Sequence, residues 1–257
     1  MKQVPARLLS NEELMPGYHL MRLEAPYIAS EANPGQFVAV TCGSELVLRR
    51  PFSIHMVEND KEFSIIFAVV GSGTRWLAQR RKGETLDVLG PLGNGFSIDN
   101  SSKKLLLAAG GIGIAPLVFL AQKATASDKL VKLLLGARTK DCLYPRHLLP
   151  DKVEILVTSE DGSEGIKGKL TDIFPGYVDW ADQIYVCGPL AMYQSINDYQ
   201  AVRQTHKKIQ VSLEVRLGCG IGACLGCSIK TKTGMKKVCL DGPVFNLDEV
   251  MLEEVRI

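Results

Sequence analysis

The 257-residue sequence lacks several features that would place it at once. It has no surplus of one charge: 30 Lys and Arg stand against 28 Asp and Glu, and a net charge of +2 falls far short of what a dedicated nucleic-acid binder carries. It has no low-complexity stretch and no internal repeat. With 46% hydrophobic and 23% charged residues it has the composition of an ordinary folded chain, which excludes intrinsic disorder. The amino terminus, MKQVPARLLSNEELMPGYH, has no apolar core of the kind that marks a secretory signal, so cytoplasmic residence is expected. The longest uncharged apolar run, 105–121, approaches membrane-spanning length, but Gly110, Gly111, Gly113 and Pro116 interrupt it. It reads as a buried strand, a tight turn and a helix. At about 150 residues per domain the chain makes one large or two modest domains, enough to build a core without disulfides.

Cysteine is what the sequence does have. Four of its seven cysteines crowd into Cys219-x4-Cys224-x2-Cys227 and, eleven residues on, Cys239; Cys42, Cys142 and Cys187 are scattered. In a reducing compartment such a cluster indicates a metal site. Three thiolates on one loop and a fourth from a following turn is the plant-type [2Fe-2S] order, and glycines at 218, 220, 222 and 226 allow a loop to fold with its amides aimed at sulfur. The alternative is structural zinc, although zinc sites usually pair two C-x2-C knuckles and only one is present.

The rest of the chain has two grammars. Up to about residue 100, short β-like runs (17–25, 35–41, 62–70, 85–89) alternate with turn residues and predict a small antiparallel barrel. From residue 103, apolar strands at 105–109, 130–135, 153–157, 183–186 and 209–215 alternate with helical segments at 115–125 and 190–204, predicting crossover units and a parallel sheet. The last segment, rich in cysteine, glycine and lysine, is too small for a core of its own. The fold class expected is therefore a β barrel plus α/β: units 1–99, 100–212 and a small C-terminal subdomain 213–257.

Several motifs suit phosphate-bearing cofactors. The strand 105–109 runs into Gly110-Gly111-Ile112-Gly113-Ile114-Ala115-Pro116, a glycine turn opening a helix, where backbone N–H groups and the helix end can meet a pyrophosphate. It is not the G-x-G-x-x-G fingerprint, and tight turns without ligand are common. Gly71-Ser72-Gly73-Thr74 is a second glycine turn, with Thr74 the expected N-cap of a short helix. Arg50-Pro51-Phe52-Ser53 lies on an expected strand, where Arg50 can pair with phosphate or simply be solvated beside a core Phe52. Cys187-Gly188-Pro189 ends a crossover strand, where ligands gather on an open parallel sheet, and Cys187 reads equally as a small core residue. The loop 158–163 has the same position and the same ambiguity. Lys230, Lys232, Lys236 and Lys237 either line a partner surface or solvate a hairpin, and Asp248, Glu249, Glu253 and Glu254 are equally undecided.

In this order the motifs resemble the ferredoxin reductase superfamily along nearly the whole chain. The tail, from Glu214 through Cys219, Cys224 and Cys227 to Cys239-Leu-Asp241-Gly242-Pro243-Val244-Phe245, looks like the iron-sulfur, electron transfer subunits of class B, NAD-dependent dihydroorotate dehydrogenases. The resemblance implies FAD on the barrel, held by Arg50, Pro51, Phe52, Ser53, Phe67, Ala68, Val69, Gly73 and Thr74. It implies NAD near Gly110, Gly111, Gly113, Pro116, Arg138, Asp161, Gly188 and Pro189, with Cys187 shaping the hydride-transfer pocket, and a [2Fe-2S] cluster on Cys219, Cys224, Cys227 and Cys239. It also implies an FMN-containing catalytic subunit as partner, in a heterotetramer of two of each, that oxidises dihydroorotate in pyrimidine biosynthesis. One departure is Ala68, where relatives often carry a basic residue. Nicotinamide exchanges electrons in pairs and a [2Fe-2S] cluster singly, and a flavin between them interconverts the two. Arg138 suits a 2′-phosphate whereas Asp141 suits NAD. Two other readings compete: the flavin and iron-sulfur subunit of an NAD(P)H-ferredoxin or hydrogenase-type oxidoreductase, whose members often lack one of the four cysteines, and a zinc-knuckle scaffold.

Overall fold

A computed structural model describes residues 1–203 and 207–255. Six strands close an antiparallel barrel: β1 (Lys2–Met15), β2 (Tyr18–Glu24), β3 (Phe37–Val40), β4 (Arg50–Val57), β5 (Glu62–Ala68) and β6 (Thr85–Leu92), in the order β1-β2-β5-β4-β3-β6. Inward positions such as Ala6, Leu8, Met21, Leu23, Val38, Val40, Ile54 and Val88 are sealed from solvent. Alternation makes most of these strands legible in the sequence, but not β1. Its polar stretch Ser10-Asn11-Glu12-Glu13 hides the period, and its register shifts twice against β2. Helix α1 (Pro26–Glu31) follows β2, and α2 (Ser72–Ala78) follows β5.

The second half forms a seven-stranded sheet from β7 (Lys104–Gly110), β8 (Leu130–Ala137), β9 (Val153–Ser159), β10 (Ile166–Lys167), β11 (Gln183–Cys187), β12 (Ile209–Ser212) and, later in the chain, β15 (Val244–Asn246), in the order β10-β9-β8-β7-β11-β12-β15. All neighbours are parallel except β12 and β15. Helices α3 (Ile114–Ala126), α4 (Leu170–Ile173), α5 (Pro175–Val178) and α6 (Leu190–Arg203) cover it. The expected end of the last helix at Gln204 lies outside the described residues. Residues 105–109 of β7 have no exposed surface, as a strand covered on both faces requires.

Residues 114–121 of helix α3 are apolar all round because that part of the helix is enclosed on every side. Its Phe119 completes the barrel core while Leu117, Val118 and Leu120 pack against the sheet, and the Gln122 side-chain amide donates to the Val57 carbonyl at 3.0 Å. Among the described residues no helix is long and apolar enough to cross a membrane. A second tie joins barrel and sheet: His55 on β4, sealed from solvent, shares hydrogen bonds with Ser64 (Nδ1, 3.0 Å) and with Tyr144 from the loop after β8 (Nε2, 2.9 Å). Burial first, and the Arg22 charge second, push its pKa down to about 3, so the ring is neutral.

The tail adds a hairpin, β13 (Ser228–Thr231) and β14 (Gly234–Lys237), and then β15. The strand β15 is a feature that sequence reading did not anticipate. The tail shares one core with both other halves, where Cys227, Ile229, Val238 and Phe245 pack among Phe37, Ala39, Leu92, Leu106 and Val211.

Candidate functional site

Three parts of the site lie close together. The thiol loop is built as its glycines suggested. Gly220 and Gly222 have φ of +74° and +79°, which glycine adopts without strain. A Cβ at Gly218 would stand 3.1 Å from Cys224 Sγ. The fold turns backbone amides toward sulfur: Ile221, Ala223 and Cys224 donate to Cys219 Sγ at 3.5, 3.3 and 3.4 Å, and Cys219 N to Cys224 Sγ at 3.4 Å. Gly222 N donates to Cys239 Sγ at 3.1 Å and Cys239 N to Cys227 Sγ at 3.5 Å. Led by the Ile221 amide, these donors bring the Cys219 thiol down to about 6, as a thiolate ligand needs. All seven cysteines are free.

Among the described residues, no three His, Cys, Asp or Glu side chains gather as ligands of a single ion. The sulfurs form two pairs: Cys227 and Cys239 are 3.3 Å apart, and Cys219 and Cys224 are joined through their amides. Two pairs with amides aimed at their sulfurs fit a two-iron cluster with two thiolates per iron. The lysines sort themselves as well. Lys230 pairs with Glu254 at 2.7 Å, and Lys237 Nζ donates to the Gly222 carbonyl at 3.2 Å, so Lys237 braces the loop.

On the barrel, Arg50 begins β4 and its side chain lies against the second glycine turn: a Cβ at Gly73 would be 3.3 Å from Arg50 Cγ and Nε and from Cys42 Cβ. Sequence reading thus named two motifs, RPFS and GSGT, that the fold places in contact. Arg50 Nη1 donates to the Leu48 carbonyl at 2.6 Å, leaving further guanidinium donors for a phosphate. Thr74 is not the N-cap, as expected, but the third residue of α2. Gly71 is the N-cap, and having no side chain it leaves that task to Thr74 Oγ1, which accepts the amides of Val70 (2.9 Å) and Gly71 (3.0 Å). Its hydroxyl therefore shapes the turn. The far end of α2 is held by Asn11, whose side-chain amide donates to the carbonyls of Leu77, Ala78 and Arg80. Burial pushes the Cys42 thiol, beneath Arg50, up to about 11. Phe52 and Phe67 pack 5.6 Å apart, with Ala68 ending β5 and Val69 beyond it.

On the sheet, chain order reverses between β7 and β11, and an open parallel sheet takes ligands at the carboxyl ends of such strands. Both glycine motifs of this half meet there. Gly113 is pressed on Cys187, a Cβ at Gly110 would stand 2.9 Å from Pro189 Cδ, and Gly188 lies on Gly110 and Met192. Pro116 falls in the first turn of α3. Nothing stands within 4 Å of the Cβ position of Gly111, so that side of the turn is open. Cys187 itself is 1% exposed and burial holds its thiol protonated, so it is no nucleophile. Arg138 and Asp161 meet at the carboxyl ends of β8 and β9, where the Asp161 amide donates to the Arg138 carbonyl at 3.2 Å. The Asp161 carboxylate is engaged by Ser163 through its hydroxyl (2.6 Å) and amide (3.0 Å).

The thiol loop sits on the barrel strand next to RPFS: the Cβ position of Gly220 is 3.5 Å from Leu92 Cδ1 and 3.9 Å from Ala39 Cβ, and Ala39 pairs with Pro51.

Known proteins match this arrangement. Residues 214–251 match the iron-sulfur cluster binding domain of dihydroorotate dehydrogenase B. Over 98% of its length the chain is 39% identical to the "Dihydroorotate dehydrogenase B (NAD(+)), electron transfer subunit" of Desulforamulus reducens, covering 99% of that protein. It is 38% identical to the like-named subunit of Bacillus mycoides, over 95% of this chain and 97% of that one. Among solved structures, a chain of an NADH-dependent reduced ferredoxin-NADP oxidoreductase, described in connection with flavin-based electron bifurcation, superposes with a TM-score of 0.87 at 30% identity, covering 97% of this chain and 90% of that one. Phthalate dioxygenase reductase shares the fold with a TM-score of 0.66 at 17% identity, over 90% of this chain and 87% of that one. With its barrel, parallel sheet and paired thiols, the chain belongs to the family of electron transfer subunits of NAD-dependent dihydroorotate dehydrogenase B, a family of oxidoreductase subunits.

Proposed function

We propose that this chain carries electrons released by dihydroorotate oxidation on an FMN-containing catalytic subunit to NAD, in an assembly with two copies of each subunit. The observation that carries the reading is the contiguity of the three parts: the thiol loop rests on the strand beside Arg50, the Gly110–Gly113 and Cys187–Pro189 turns meet at the switch point of the sheet, and residues 111–113 lie against β5 of the barrel. Bound FAD trades electron pairs with nicotinamide and single electrons with an iron-sulfur cluster.

The residues divide the work. Cys219, Cys224, Cys227 and Cys239 would hold the cluster, and the amides of Cys219, Ile221, Gly222, Ala223, Cys224 and Cys239 stabilise their thiolate sulfurs. Arg50 offers guanidinium donors to FAD phosphate, Ser53 adds a hydroxyl, and Pro51, Phe52, Phe67, Ala68 and Val69 give the strand surfaces for the rest of the molecule. Gly73 lets α2 come close, while Thr74 keeps the turn shut. Gly110, Gly111, Gly113 and Pro116 present the helix end to the dinucleotide, with Cys187, Gly188 and Pro189 as the facing wall and Arg138 and Asp161 at the outer edge. On this reading residues 1–99, 100–212 and 213–257 act as flavin, nicotinamide and cluster units, and dihydroorotate has no site on this chain. Seven free thiols suit a reducing compartment such as the cytoplasm.

The cluster is fringed by exposed apolar side chains: Ile221 (45%), Leu225 (63%) and Leu240 (49%). Leu225, between two ligands, has φ +59°, a conformation that a leucine adopts only at a cost. This fringe is the contact surface for the catalytic subunit. The test is Cys224→Ser in the co-purified complex. FAD content and NADH oxidation by artificial acceptors should persist while NADH formation from dihydroorotate disappears; full retention of that coupling would refute the assignment.

A further inference from the structure

Electron transfer between a flavin and a cluster depends steeply on where the two are held, so the joint between the Cys239 turn and the barrel bears on function. That joint is made by the two residues that follow β6. Gly93 has φ +74°, and a Cβ there would lie 2.6 Å from both the Gly242 carbonyl oxygen and Pro243 Cδ. Its own carbonyl accepts the Gln36 side-chain amide at 2.8 Å. The Asn94 amide donates to the Gly242 carbonyl at 2.6 Å, and its side-chain Nδ2 donates to the carbonyls of Leu240 and Asp241, both at 3.1 Å. From the tail side, Leu213 N donates to the Pro243 carbonyl at 2.9 Å and Lys237 N to Asp241 Oδ2 at 2.7 Å. Three consecutive carbonyls directly after the fourth thiol are thus all received by one residue of the barrel.

We propose that Asn94, seated by Gly93, is a positioning residue that pins the Cys239 turn to the flavin barrel and so fixes where the cluster stands relative to the flavin. The pin touches no thiol. Its donors go to carbonyls beyond Cys239, so it sets the placement of the loop and leaves the ligand set to the loop's own amides. The inference rests on the proposed cluster and flavin sites.

Two substitutions in the whole complex test it. Asn94→Asp keeps the shape but sets a carboxylate oxygen against two carbonyl oxygens. Gly93→Ala drives a methyl group into the Gly242 carbonyl. Hydrogen exchange at the Asn94 and Leu213 amides, which report the joint directly, should speed up on the order of tenfold, the scale of losing one or two partly exposed hydrogen bonds. Iron and FAD contents should match the wild type, and bleaching of the cluster's visible absorption by NADH should slow. Asn94→Ala should resemble Asn94→Asp. Unchanged exchange and unchanged bleaching in Asn94→Asp would overturn the proposal, as would loss of iron with FAD retained, which would make the pin part of the ligand scaffold. A wild-type complex without a [2Fe-2S] spectrum would instead overturn the functional reading on which the proposal depends.

Discussion

Gly113→Ala separates contact from conformation in the nicotinamide half. Gly113 has φ −59° and ψ −9°, values that alanine adopts freely, so the backbone there does not demand glycine. The neighbour does. An added Cβ would lie 2.1 Å from the Cys187 carbonyl oxygen, 2.4 Å from its carbon and 2.8 Å from Gly188 N, all backbone atoms that no rotamer change can move aside. Ordinary contact begins at 3.4 Å, so the glycine turn and the end of β11 must part by about 1.3 Å. Overpacking of this kind costs about 1–3 kcal/mol, and a 1 Å displacement of a positioned reactant can cost about 10²-fold in rate. Steady-state oxidation of NADH with an artificial acceptor should therefore lose roughly one to two orders of magnitude in kcat/KM, while FAD content and the cluster spectrum stay normal. Gly111→Ala is the counterpart: its methyl group meets no protein atom within 4 Å but the residue has φ +56°, so it should cost about 1 kcal/mol of stability without parting the turn from β11. Wild-type kcat/KM in Gly113→Ala would refute the placement of the dinucleotide against this turn.

Other perturbations address the remaining parts. Arg50→Ala should weaken FAD retention about 10- to 100-fold through loss of charge-assisted hydrogen bonds, read as flavin content after dialysis; undiminished flavin would remove Arg50 from the site. His55 carries a pKa of about 3 in the folded chain against 6.5 unfolded, so below pH 6.5 the unfolded state gains the proton first. Its contribution is intact above pH 6.5 and declines toward pH 3 by up to about 1.4 kcal/mol per pH unit, while the buried Glu58 carboxyl, its pKa raised, works the opposite way. Urea unfolding of wild type and His55→Gln between pH 7 and pH 4 should show a shallower slope in the variant, and equal slopes would contradict the neutral, enclosed ring. Leu225→Gly relieves a left-handed leucine and removes an exposed apolar side chain, so iron retention should hold while affinity for the catalytic subunit falls about tenfold; unchanged affinity would place the partner elsewhere.

Local chemistry made much of this legible in the sequence. A strand buried on both faces is a continuous apolar run, hence β7 stood out; a cluster loop needs close glycines and set thiol spacings, hence the tail did. What stayed hidden depends on distant pairing. The polar middle of β1 gave no period, and the three residues of β15 gain their meaning only beside β12. Thr74 reads as an N-cap in the sequence but stands at the third position of α2, because a glycine N-cap leaves no side-chain signature. The glycines at 110, 113 and 188 were visible as turn residues, but that Gly113 lies on Cys187 follows only from the crossover that sets β7 beside β11. Asn94 gave no signal at all, since its three acceptors are about 150 residues away along the chain.

Conduction of electrons from dihydroorotate to NAD by this chain is open to one direct measurement. Its most direct test is to purify the chain with its bound partner under anaerobic conditions, add dihydroorotate and NAD, and follow NADH absorbance. NADH formation should require the partner and be abolished by Cys224→Ser. A brown preparation that oxidises NADH with artificial acceptors, yet forms none from dihydroorotate with its flavin-bearing partner present, would contradict it.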